Sequence, residues 1–229
     1  MRLTAEVPPA RLQLGSEPAR RPAASASPLL LLLLAGDALF VLLHLAHVAT
    51  PVFQDPGFSL ELERGFGEVY QYLKEYWIAL LLLVVGLRQG APVLVAWAGL
   101  FGYLLVDDAF ALHERLGVAI SGSLALPDGW PLRDRDVGEV LVAGAVGVLA
   151  LAAIGVAHAL SEPPARQVSR RLLRLLALLA LFGVGVDAVH QMFAPGVWYT
   201  ALGVVEDGGE MVVMTAVVWL AARLYRGNL

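Results

Sequence analysis

The 229-residue sequence contains no cysteine. It can form no disulfide, no thiolate metal site and no cysteine nucleophile, so any metal must be held by His, Asp or Glu. Lysine is almost missing too: Lys74 stands alone. With a formal net charge of -4, the chain lacks the clustered basic residues that neutralise phosphates, which excludes nucleic acid as a partner. Charge of either sign is scarce, at 16%, where soluble domains carry about 25%. Apolar residues take up the difference, with 58% hydrophobic residues and a mean hydropathy of +0.70. Soluble domains reach only about 45–50%. The composition predicts a polytopic, all-α membrane bundle.

Residues 1–27 are rich in Pro, Ala, Arg and Ser without apolar periodicity, and are expected to form a disordered cytoplasmic tail. The apolar stretch that follows continues to about Thr50, too long for the core of a signal peptide and long enough to cross a ~30 Å hydrocarbon layer. Five further apolar segments cover approximately 70–88, 92–115, 137–160, 172–193 and 200–223. Pro51 and Pro56, Gly90 to Pro92, Pro127 to Pro131, Pro163-Pro164 and Pro195-Gly196 separate them. None shows the period-2 alternation of a transmembrane barrel. Six transmembrane helices within residues 28–229 are expected. Residues 116–126 either extend the third helix or form a short interfacial one.

Lys and Arg in alternate connections set the orientation. With the N-terminus inside, eleven fall on the cytoplasmic side, among them Arg88, Arg166, Arg170, Arg171, Arg174, Arg223 and Arg226. Five fall outside: Arg64, Lys74, Arg115, Arg133 and Arg135. Both termini are therefore expected in the cytoplasm, in the plasma (inner) membrane of a bacterium.

In this topology four of the five histidines (His44, His47, His113 and His190) lie towards the outer face, with most carboxylates outside the tail. Ionisable groups at membrane depth cost about 2.5–3.5 kcal/mol on insertion scales and are tolerated facing a partner, water or an ion. Helical spacing gathers them further. Asp37 and His44 share one face of the first helix, and Glu68, Tyr72 and Glu75 form a stripe on the second. Asp187 and His190 are an i,i+3 pair, and Glu206 and Glu210 an i,i+4 pair flanking Asp207. Side chains one turn apart can reach a common ion, and mixed imidazole and carboxylate donors suit Zn, Fe or Mn.

The expected metal ligands are Asp108, His113, Asp187, His190, Glu210 and His44. Asp107, Glu114 and Glu206 are the candidate catalytic carboxylates. Taken one at a time these residues have plainer readings: carboxylates at helix N-termini are ordinary caps, and histidines near headgroups are ordinary polar groups. Their convergence on one layer points to a site. A divalent metal there would lower the pKa of bound water for a hydrolase acting on a membrane lipid or another amphipathic substrate. The alternatives are a proton- or cation-coupled transporter, for which Asp37 is the only deeper acid, and a nonenzymatic sensor or assembly subunit.

Overall fold

The computed structural model describes residues 27–124 and 134–227. The tail expected over 1–27 lies outside these, apart from Ser27. Among the described residues the chain is all-helical: α1 (Pro28–Ala49), α2 (Phe66–Gln89), α3 (Pro92–Phe110), α4 (Leu112–Leu124), α5 (Asp134–Leu160), α6 (Pro163–Ala180), α7 (Asp187–His190) and α8 (Val197–Tyr225). A π-helical turn, Leu181–Val186, joins α6 to α7, and a 3₁₀ turn, Pro56–Phe58, lies between α1 and α2. Five stretches are long and apolar enough to cross a membrane: Pro28–Ala49, Phe66–Gln89, Pro92–Phe110, Val137–Leu160 and Pro163–His190. The sixth expected span lies in α8, 29 residues long, whose first half carries Glu206, Asp207 and Glu210.

The helix boundaries follow local chemistry. Pro28, Pro92 and Pro163 each open a helix, where the missing N–H costs nothing and φ is already set. At the end of α2, Gly90 takes φ 60°, and the Ala91 N–H returns to the Gly86 carbonyl at 2.9 Å, closing the helix in a glycine C-cap. Gly86 also lets α3 approach. A Cβ there would lie 3.0 Å from the Val95 backbone nitrogen, so α2 and α3 pack as a tight hairpin.

The third expected span, 92–115, is not one helix. Ala111 sits in the left-handed region at φ 51°, which ends α3 and starts α4. Such a conformation costs an L-residue roughly 1–2 kcal/mol. Asp107 offsets it: one carboxylate oxygen accepts from the His113 backbone N–H at 2.8 Å and the other contacts His113 Nδ1 at 2.8 Å. The described part of 116–126 belongs to α4, not to an extended third helix. α4 lies against α5 where Gly117 and Gly138 meet backbone to backbone. The fifth expected span also starts earlier than 172. The arginine-rich turn from Pro163 is helical, because long Arg side chains can cover apolar surface while their heads reach polar surroundings.

The apolar core fills the half of the bundle at the arginine-bearing helix ends. Trp97 and Phe101 of α3, Ile78 and Leu82 of α2, Leu172 of α6 and Val217 of α8 are almost wholly buried there. Two serines are absorbed by pairing: Trp97 Nε1 donates to Ser169 Oγ at 3.0 Å, and Ser161 Oγ accepts from the Val93 N–H at 3.1 Å. Polar side chains concentrate at the opposite half, beside the connection 50–65.

Lys74 corrects the sequence reading. It is not an outer-surface cation but is fully buried. Its ammonium donates to Asp37 Oδ1 at 2.6 Å and to the Met211 carbonyl at 3.0 Å, and sits 4.3 Å from the centre of the Tyr70 ring. Thr215 Oγ1 donates to the second Asp37 oxygen at 2.7 Å. One buried ion pair thus ties α1, α2 and α8 together. Asp37 is neutralised within the fold instead of standing as an isolated deep acid.

Candidate functional site

Above this ion pair lies a cavity of about 470 Å³. Its depth comes from the way each wall is built. On α2, Glu68, Gln71 and Glu75 repeat at helical spacing and face one side, with Gly67 beside them. Leu104 and Asp108 of α3 form the next wall. Asp187 and His190 of α7 follow the π-helical turn, and Glu206, Asp207 and Glu210 project from α8 over Met211 and Met214. The connection between α1 and α2 brings in Glu61 and Glu63. Nine carboxylates line the cavity, and none of its lining residues is Lys or Arg.

The most concentrated group is Asp187, His190 and Glu206. One ligand atom from each lies within 4.8 Å of the other two, and among the described residues no other three His, Asp or Glu side chains bring ligand atoms this close together. His190 Nδ1 and Glu206 Oε2 are 2.6 Å apart, while His190 Nε2 is buried without a hydrogen-bond partner. The ring packs on Tyr199 at 4.1 Å between centroids. Asp187 Oδ1 accepts from Gln191 Nε2 at 3.1 Å. A carboxylate holding an imidazole whose second nitrogen is unused is the usual support of a metal-bound histidine.

Glycines make this closeness possible. At Gly203 a Cβ would stand 2.6 Å from Glu61 Oε1 and 3.2 Å from His190 Cε1, so both side chains crowd one bare patch of α8. The Phe182 ring occupies the space over Gly209, and Glu210 reaches the bare backbone at Gly183. Gly209 therefore seats the π-helical turn against α8, while Gly208 faces Val41 of α1.

The structure gathers some of the expected residues and separates others. Asp108, Asp187, His190, Glu206 and Glu210 line the main cavity. Asp107, His113 and Glu114 line a smaller adjoining one of about 200 Å³, which shares Glu63, Glu68 and Asp108 with it. Within that smaller cavity Asp107 caps α4 through His113. Glu114 accepts from Arg135 at 3.1 Å, while Arg135 also holds Glu139 at 2.6 Å, pinning α4 to α5. His44 reaches neither cavity: its Nδ1 accepts from the Leu60 N–H at 3.1 Å and anchors the connection that carries Glu61. Glu61 itself was not legible as a site residue, because it stands in a polar stretch with no helical neighbours to mark a face.

The pair of hydrogen-bond contacts between Asp107 and His113 yields a direct expectation. Asp107→Ala should destabilise the protein by about 1.5–3 kcal/mol, the range for hydrogen bonds to a charged group. Thermal unfolding in detergent would show the loss, and metal content should match that of the unsubstituted protein.

The profile of a family described as a domain of unknown function (DUF8692) matches residues 29–225, nearly the whole described bundle. No curated protein and no solved structure matches the chain.

Proposed function

The chain belongs to the DUF8692 family, and we propose that it is a multi-pass membrane protein carrying a divalent-metal centre at Asp187, His190 and Glu206. The observation that carries the reading is the buried imidazole of His190, tied to a carboxylate on one side and without a partner on the other. One nitrogen and two carboxylates are a donor set for zinc, iron or manganese, with positions left for water or substrate.

The membrane reading adds α8 to the five apolar helices, giving six spans. Arg88, Arg166, Arg170, Arg171, Arg174, Arg223 and Arg226 cluster at the bundle end away from the cavity, which supports cytoplasmic termini and an outer-facing site. Since the chain has no cysteine, a single Gln54→Cys substitution in the exposed connection after α1 reports the side directly. A membrane-impermeant maleimide should label it in intact cells. Labelling only after permeabilisation would reverse the orientation.

The reaction that best fits is hydrolysis of a lipid or amphipathic substrate. Bound metal would supply Lewis-acid chemistry and an activated water. The chain's own residues would hold and orient the metal and accept a proton, with Glu61 placed across Gly203 from His190 for that role. Met211, Met214, Leu104 and Leu179 offer the apolar part of the cavity. Release of fatty acid from a panel of ester- and amide-linked lipids tests this. Turnover should be chelator-sensitive and lost in His190→Ala; hydrolysis that survives both would refute the metal mechanism.

A further inference from the structure

We propose that the floor of the cavity holds a second cation, a hard divalent ion bound by oxygen alone at Glu75, Asp108 and Glu210. The proposal rests on reading the cavity as a cation site, but on residues other than those of the first centre.

Glu75 is only 5% exposed, and its Oε2 is buried with no hydrogen-bond partner. An ionised carboxylate can only accept, so burial without a donor is unfavourable unless a cation supplies the missing partner. One turn earlier on α2, Gln71 Oε1 is also buried without a partner and lines the same cavity. Asp108 and Glu210 line the same cavity as Glu75. The nearest buried protein cation is already committed, since Lys74 is bound to Asp37 and to the Met211 carbonyl. No cavity-lining residue is Lys or Arg, so these carboxylates have no protein ammonium or guanidinium to pair with and are open to a cation from solution.

The chemistry of this floor differs from that of the upper group. It offers carboxylate and amide oxygen without imidazole, the donor set of magnesium, calcium or manganese. Its oxygens are spread more widely than the Asp187, His190 and Glu206 ligand atoms. Glu206 and Glu210 are one turn apart on α8, a rise of about 6 Å, so the two positions are neighbours in one chamber. Two ions would also offset more of the nine carboxylates than one.

The test uses the full chain purified in detergent, stripped with chelator and reloaded with one equivalent of zinc. Mn²⁺ is then titrated and its free signal followed by electron paramagnetic resonance. The wild type should bind one further Mn²⁺, while Glu75→Gln and Asp108→Asn should weaken that binding at least tenfold and keep their zinc. His190→Ala should lose zinc and still bind Mn²⁺ at the floor. Wild-type protein that takes up no Mn²⁺ overturns the proposal, as does a folded, monodisperse Asp108→Asn or Glu75→Gln that binds it like the wild type. Failure to retain zinc with Mn²⁺ binding that depends on Glu75 would refute the upper centre alone.

Discussion

Exchange of Lys74 for methionine is expected to destabilise the protein by about 3–5 kcal/mol, the cost of leaving a buried charge without its partner. Methionine fills most of the lysine stem's volume, so the loss is electrostatic. Asp37 would keep the 2.7 Å hydrogen bond from Thr215 but lose the ammonium at 2.6 Å, and the Met211 carbonyl would lose its donor. Three helices meet at this point, so the effect should appear as a lowered unfolding temperature and reduced monodisperse yield in detergent. The double variant Asp37→Leu/Lys74→Met provides the contrast. Removing both charges together is often neutral or even stabilising, so it should recover most of the loss. A double variant as unstable as Lys74→Met would show that packing, not charge pairing, governs the site. Asp37→Leu/Lys74→Met should leave metal content unchanged, because neither residue lines the cavity.

His190→Ala is expected to abolish retention of the upper metal while leaving the bundle folded. The substitution removes the only nitrogen in the ligand group, together with the 2.6 Å contact to Glu206 and the tilted ring contact with Tyr199. Glu206→Gln separates the possible roles of the carboxylate. If Glu206 chiefly orients the imidazole, affinity should fall about 10–100-fold, the usual effect of losing an outer-shell partner. If it is a direct ligand, the loss should approach that of His190→Ala. Competition with a chromophoric chelator measures both. Unchanged zinc affinity in His190→Ala would refute the assignment.

The sequence foretold the helical architecture through its long apolar runs, and Pro and Gly marked most of the breaks between them. The break at Ala111 carried no such mark. It depends on Asp107 reaching six residues ahead to cap α4, and no glycine or proline announces it. The start of α6 was hidden for a different reason: Arg166, Arg170, Arg171 and Arg174 resemble a polar connection until the helix places them along the surface of the arginine end.

The site was partly legible because Asp187, His190, Glu206 and Glu210 interrupt sequence that is otherwise apolar, at spacings of one helical turn. Their meeting across α7 and α8 depends on the π-helical turn and on bare backbone at Gly183, Gly203 and Gly209, which no spacing rule reveals. Lys74 was misplaced because its partner Asp37 lies on another helix, far away in sequence. His44 shared a helix face with Asp37 as expected, yet tertiary packing assigned it to the α1–α2 connection. Asp107 and His113 were given separate roles, as a catalytic carboxylate and a metal ligand, and the structure uses them on each other.

Elemental mass spectrometry on protein purified without chelator, compared with the Asp187→Asn/His190→Ala variant, addresses the cavity most directly. At least one zinc or iron per chain should accompany the unsubstituted protein and disappear from the variant. A folded wild type carrying no such metal after growth in supplemented medium, or a variant carrying as much as the wild type, would contradict a metal centre at Asp187, His190 and Glu206.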